Sequence, residues 1–330
     1  MAMIETINLC KEYGELVALN NLNLSIQEGD CYGFIGPNGA GKTTTIKILA
    51  TLLKPTRGQA MINGLTVGYQ NRQIRPVIGY VPDFMGAYED MVVTEYLEFF
   101  AAAYNIHGPQ RRKVVSDVLE LTDLSYKAGA EVNSLSRGMQ QRLSVARVLL
   151  HDPKVLLMDE PASGLDPRAR IEMRELLKEL KRMGKTILIS SHILHELAEL
   201  CNVVGIIERG VLLFSGTVKE IMLRARVEHV LHVAVAERTD EAAKLLHTVP
   251  GVKRVSVAEE ETPSAAAAGN GAGRGVRRRV IHLAFEESTM HAVSDIPSRL
   301  INAGFRLTLF SEEKVNLETA FMRLTQGLVQ

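Results

Sequence analysis

Nine consecutive residues, Gly36-Pro37-Asn38-Gly39-Ala40-Gly41-Lys42-Thr43-Thr44, carry the densest chemistry in the chain. Their spacing is G-x-x-x-x-G-K-[ST], which suits a polyphosphate. Glycines let the backbone curl so that its N–H groups face phosphate oxygens, and a helix starting there adds the positive end of its dipole. Lys42 would neutralise the outer phosphates and the Thr43 hydroxyl would ligate Mg²⁺. The plainer alternative is a glycine-rich turn between a strand and a helix. A second pair, Asp159-Glu160, follows the apolar run Val155-Leu156-Leu157-Met158. A carboxylate at the carboxyl end of a buried strand lies where open α/β sheets bind ligands. Asp159 would hold Mg²⁺, and Glu160, one residue on, can polarise an attacking water. A third segment, Leu135-Ser136-Arg137-Gly138-Met139-Gln140-Gln141-Arg142, opens a helix with Ser136 as a good N-cap. Capping and anion binding use the same exposed N–H groups, so both readings stand together. Two copies packed head to tail would place one such helix start on each side of a single triphosphate.

Positioning these residues requires a particular set of elements. Segments 3–10 and 16–26 alternate apolar residues and end at Glu28-Gly29-Asp30, which predicts antiparallel strands. Residues 31–36 form a short apolar strand into the glycine-rich loop, and 42–53 has helical character. Strands follow at 59–62 and 77–81. Between about 84 and 152 the periodicity is helical, over 95–104, 111–121 and 137–151. The unbroken apolar block 155–158 predicts a central parallel strand, followed by helix 167–183 and strand 186–190. A hairpin at 203–216 closes this part. Beyond about 223 the order is strand 229–235, helix 239–248, strands 252–258 and 280–285, helix 289–303 and strand 305–310, a ferredoxin-like β-α-β-β-α-β arrangement. A last helix is expected at 316–326, and 259–279, rich in Glu, Ala, Gly and Arg, is expected to be a flexible loop.

Composition narrows the classes. The 330 residues suggest two domains, and 46% hydrophobic against 23% charged residues excludes a wholly disordered chain. Lys+Arg 38 balances Asp+Glu 38, so no overall basic field points to nucleic acid, and no nucleic-acid partner is expected. Three scattered cysteines, Cys10, Cys31 and Cys201, fit a reducing compartment better than a disulfide framework. Glu5, Lys11 and Glu12 leave no apolar leader at the start, and no run of about 18 uncharged apolar residues occurs. Any work at a membrane would need another polypeptide to cross it.

With these motifs in this order the chain resembles the nucleotide-binding subunit of an ABC transporter, most closely the export-type bacterial branch, over about residues 3–217. The resemblance implies an α/β fold: a P-loop ABC ATPase domain at 1–222, with a mixed sheet core, an antiparallel β subdomain and a helical subdomain at about 84–152. A small α+β ferredoxin-like domain at 223–330 would follow. It implies ATP with Mg²⁺ as ligands, with Gly36, Pro37, Asn38, Gly39, Ala40, Gly41, Lys42, Thr43 and Thr44 around the phosphates. Tyr13 matches the family's adenine-stacking aromatic, and His192 the histidine that orients water and γ-phosphate. Ser136 and Gly138 match the signature that meets the nucleotide of the opposite subunit, and Ser163-Gly164-Leu165-Asp166 looks like the dimer-contact loop. Catalysis would rest on Lys42, Glu160 and His192, and metal binding on Thr43, Asp83 and Asp159. The implied partners are a second copy of the chain on ATP binding and a separate integral membrane permease, at the cytoplasmic face of the cell membrane.

The sequence departs from the family pattern in named places. The usual signature is Leu-Ser-Gly-Gly-Gln, whereas Arg137 and Met139 replace its first glycine and its glutamine. Asp83 stands where the family has glutamine, shorter and charged. Weaker candidates are the pair His192 and His195, three apart without a third ligand, and the basic run Arg274 with Arg277-Arg278-Arg279. Phe84-Met85-Gly86-Ala87-Tyr88 with Met91 could line a groove for a partner helix or pack within the helical subdomain. Two other classes remain open: a soluble ABC-type ATPase that remodels a cytosolic complex, and a P-loop kinase. The second explains 36–44 but not 135–142.

Overall fold

The computed structural model describes residues 2–84, 86, 91–192, 197, 199–217, 219–221, 229–262, 276–285 and 294–312. They divide into two compact units, one within Met1–Glu220 and one within Ile221–Arg323.

The first unit opens with two long antiparallel strands, β1 (Ala2–Tyr13) and β2 (Leu16–Gln27). Next come β3 (Cys31–Ile35), α1 (Lys42–Leu49), β4 (Arg57–Ile62), β5 (Leu65–Thr66), α2 (Asn71–Ile74) and β6 (Ile78–Val81). Helix α1 stops short of residue 53 because Thr51 takes a left-handed φ of 62°, which a continuing helix cannot contain. Three helices follow, α3 (Val93–Ala103), α4 (Gly108–Leu121) and α5 (Arg137–Leu149). The chain returns to the core through β7 (Val155–Asp159), α6 (Pro167–Arg182), β8 (Thr186–Ser191), β9 (Val203–Glu208) and β10 (Val211–Thr217).

Two sheets result. One is antiparallel, in the order β2-β1-β4-β5; the other is ordered β10-β9-β3-β8-β7-β6, parallel except for β10 at its edge. The residues of β3, β7 and β8 are buried throughout, which explains their unbroken apolar runs. A single core of Ile4, Leu22, Phe34, Ile46, Leu49, Val155, Leu157 and Leu188 joins the sheets to α1. Each such side chain contributes about 1.5–3 kcal/mol on leaving water. For function the neighbour relation β3-β8-β7 matters most. It sets the loop after β3 and the carboxylates after β7 at the same end of the sheet, on either side of the β8 terminus.

The second unit contains β11 (His229–Val235), α7 (Thr239–His247), β12 (Val252–Thr262), β13 (Val276–Phe285), α8 (Ile296–Asn302) and β14 (Leu307–Glu312). The sheet order β12-β13-β11-β14, antiparallel throughout, is that of a ferredoxin-like fold. Its core packs Leu231, Val233, Ala242, Leu246, Leu283, Ile296 and Leu300. The segment 259–279 is not a loop along its whole length. Glu259 pairs with Arg279, Glu260 with Arg278, Glu261 with Arg277 and Thr262 with Val276. Glu259 opposite Arg279 sets unlike charges across the strands, which favours this pairing, so a composition typical of loops extends the hairpin instead. Residues 263–275, the start of the expected helix 289–303 and the expected helix 316–326 lie outside the described residues.

Candidate functional site

The glycine-rich loop occupies residues 36–41, between β3 and α1. Two of its glycines are dictated by space and torsion. A Cβ on Gly41, whose φ is 108°, would lie 2.7 Å from the Ala18 carbonyl oxygen; one on Gly36 would meet Ala40 Cβ at 3.1 Å and the Ile207 backbone more closely still. Lys42 begins the helix and is buried, its Nζ donating to the carbonyls of Gly36 (2.7 Å) and Pro37 (3.2 Å) and pairing with Glu160 Oε1 at 3.3 Å.

Across the sheet terminus Asp159, also buried, accepts from Thr43 Oγ1 (3.0 Å) and Ser190 Oγ (2.8 Å) on the same oxygen, Oδ1. Glu160 follows with φ 51°, a left-handed conformation that costs a non-glycine residue about 1–2 kcal/mol. Its backbone N–H donates to Ser190 Oγ at 3.0 Å, and its carboxylate lies between Lys42 and His192, whose Nδ1 is 2.6 Å from Oε2. Strain held in place by surrounding contacts is typical of a working site. Ser190, which anchors the Asp159 carboxylate and the Glu160 backbone, carries no motif in the sequence. It ends an apolar strand, and only the adjacency of β8 to β7 reveals its role.

A cavity of about 680 Å³ gathers these groups. It is lined by Tyr13, Leu16, Ala18, Asn38 through Thr44, Lys47, Tyr80, Pro82, Asp83, Phe84, Asp159, Glu160, Ser163 and His192. Tyr13 is 45% exposed at its rim, with Lys11 Nζ 4.9 Å above its ring. Burial and the nearby Asp159 and Asp83 push the Tyr80 hydroxyl up to about 12. Burial also holds the Asp83 carboxyl above its ordinary range, with Asp159 and Glu160 adding to the effect and Arg137 opposing it. Asp83, Asp159 and Glu160 share the cavity with Lys42 and Lys47, and of the three carboxylates Glu160 pairs directly with Lys42. Its oxygen donors, the Thr43 hydroxyl and the carboxylates of Asp159 and Asp83, are those a hard divalent cation prefers.

Ser136 and Gly138 do not join this cavity. They line a separate cleft of about 450 Å³ with Met139, Arg142, Asp166, Arg168 and Ala169. Ser136 caps α5, accepting from the Met139 N–H at 3.3 Å, and Asp166 caps α6, accepting from Arg168 and Ala169 at 2.9 and 3.0 Å. Gly138 must lack a side chain, because a Cβ would lie 2.6 Å from Ala169 Cβ. One chain therefore presents a lysine-bearing cavity and, in a separate cleft, the Ser136-capped start of α5. His195, Arg274, Met85, Ala87 and Tyr88 lie outside the described residues.

Comparison with known proteins accords with this geometry. A family profile described as ABC transporter matches residues 19–163. The Nod factor export ATP-binding protein I of Cupriavidus metallidurans is 40% identical over 221 residues, covering 67% of this chain and 73% of that protein. This chain belongs to the ATP-binding subunits of ABC transporters. It is accordingly an ATPase of the ABC class. The linearmycin resistance ATP-binding protein LnrL of Bacillus subtilis is 27% identical over 323 residues, 98% of each chain, so that likeness extends through the second unit. Among solved structures, a dimeric ATP-binding cassette in a post-hydrolysis state, bound to ADP and Pi, superposes with a TM-score of 0.59 at 29% identity. It covers 65% of this chain and 98% of that one. Among the described residues no helix is long and apolar enough to cross a membrane.

Proposed function

We propose that this ABC ATPase hydrolyses ATP at two composite sites of a head-to-tail homodimer. Each site combines Lys42, Thr43, Asp159, Glu160 and His192 of one chain with Ser136 and Gly138 of the other. The observation that carries this reading is the division of the required groups between two surfaces of one chain, which a second copy would reunite. That a similar cassette forms a dimer with ADP and Pi bound supports pairing of two copies. Tyr13 stacks on the adenine, and the loop 36–44 surrounds the phosphates.

Glu160 polarises the attacking water, with His192 fixing one of its oxygens and Lys42 the other. Lys42 then spreads the charge of the γ-phosphate. Thr43, Asp159 and Asp83 would hold Mg²⁺, which would supply neutralising charge at the phosphates. Ser190 holds Asp159 and the Glu160 backbone in register. The export-related names of the relatives support coupling to export through a separate integral membrane permease, placing the chain peripherally at the cytoplasmic face of the cell membrane. We assign residues 1–222 to the ATP-binding domain and 223–330 to an accessory domain. Glu160→Gln should abolish phosphate release while leaving binding of a fluorescent ATP analogue intact. Unchanged turnover in that variant would refute the assignment.

A further inference from the structure

Two loops of one chain, those of Asp83 and Gly164, converge on the guanidinium of Arg137, the first residue of α5. Its Nη2 lies 3.9 Å from Asp83 Oδ1. Against it also lies Gly164, with φ 66°, where a Cβ would sit 2.6 Å from Arg137 Cζ; the missing side chain makes room for the guanidinium. A parallel link comes one turn along α5, where the buried Gln141 donates from Nε2 to the Pro82 carbonyl at 3.3 Å. Helix α5 thus holds the Asp83 loop at two points and touches the 163–166 loop at a third. The two ends of this contact serve different clefts. Asp83 lines the Lys42 cavity, whereas Ser136 and Gly138, on either side of Arg137, line the other.

We propose that Arg137 is a positioning residue that couples the two nucleotide sites of the dimer. Through Asp83 it ties the loop at its own chain's nucleotide to the helix start that completes the partner's site. This inference rests on the composite-site reading. A shift of Asp83 on nucleotide binding either carries Arg137, and with it residues 136–138, or breaks the contact. Both partners are about half exposed, at 57% and 52%, so the pair breaks and re-forms easily, as a relay requires. Arg137 and Asp83 are also two of the positions where this chain departs from its family's usual residues.

The test uses the full chain, with Arg137→Gln, Arg137→Lys, Asp83→Asn and the Gln/Asn double variant, thermal melting confirming that each is folded. Hydrogen exchange of the nucleotide-free chain is read at the amides of 83–84 and 137–141, and ATPase rate is measured against ATP concentration. Arg137→Gln and Asp83→Asn should each speed exchange in both segments by about two- to fivefold, the size of an exposed ion pair. The double variant should add nothing further. The wild-type Hill coefficient should exceed one, fall toward one in Arg137→Gln and be retained in Arg137→Lys. Exchange changes confined to the mutated segment, additive effects, or a Hill coefficient unchanged by Arg137→Gln would overturn the proposal. If Glu160→Gln fails to pair with ATP, the composite-site reading falls, while the exchange result still decides whether the contact links the two loops.

Discussion

Ser190→Ala tests whether the two carboxylates are held as described. The hydroxyl is fully buried, donates to Asp159 Oδ1 at 2.8 Å and accepts from the Glu160 N–H at 3.0 Å. A hydrogen bond to a charged group contributes about 1.5–3 kcal/mol, and a buried N–H left unpaired costs about 1–3 kcal/mol. These overlap, so the expected loss is about 2–4 kcal/mol, or about 5–12 °C in Tm for a unit of this size. The consequence for rate is separate. Glu160 keeps its left-handed backbone only while surrounding contacts hold it, so losing the Ser190 anchor lets the carboxylate move. Misplacement by about 1 Å costs roughly a hundredfold in rate, and kcat should fall by about ten- to hundredfold. Affinity for ATP should change little, because Ser190 Oγ is engaged with Asp159 and the Glu160 backbone rather than with the phosphate loop. Calorimetric melting, phosphate-release kinetics and a nucleotide-binding titration measure the three quantities. A variant that melts within a degree of the parent and keeps its kcat would refute the role given to Ser190.

Two further outcomes follow from the geometry. Gly138→Ala drives a methyl to 2.6 Å from Ala169 Cβ, so it should destabilise the first unit by about 1–3 kcal/mol and lower ATPase activity while the chain still binds nucleotide; melting and turnover check both. Tyr13→Ala should raise the KM for ATP by about tenfold, in keeping with roughly 1–3 kcal/mol for base stacking, and leave kcat nearly unchanged; steady-state kinetics with Tyr13→Phe as the control checks it.

Much of the site was legible because its chemistry is local in sequence. The phosphate loop, the carboxylate pair after β7 and the capped start of α5 each declare themselves within a few residues. The helix and strand periodicities placed them at element ends. Properties that depend on which strands are neighbours were not legible. Ser190 reads as the polar end of an apolar strand until β8 is found between β3 and β7. Gln141 reads as an ordinary helix residue until its amide meets Pro82. The approach of Arg137 to Gly164 joins residues from two loops with no shared pattern. The segment 259–279 misled for a different reason. Glu and Arg runs suggest a solvated loop singly, and only their register, Glu259 opposite Arg279, turns them into a paired hairpin.

In the proposed dimer one chain's phosphate loop and its twin's Ser136 helix start close on the same triphosphate. Light scattering coupled to size exclusion on Glu160→Gln, with ATP and Mg²⁺, tests it most directly. The mass should rise from 36.4 kDa to twice that value with ATP and return when Ser136 is replaced by Arg. A mass that stays at 36.4 kDa with ATP and Mg²⁺ present would contradict it.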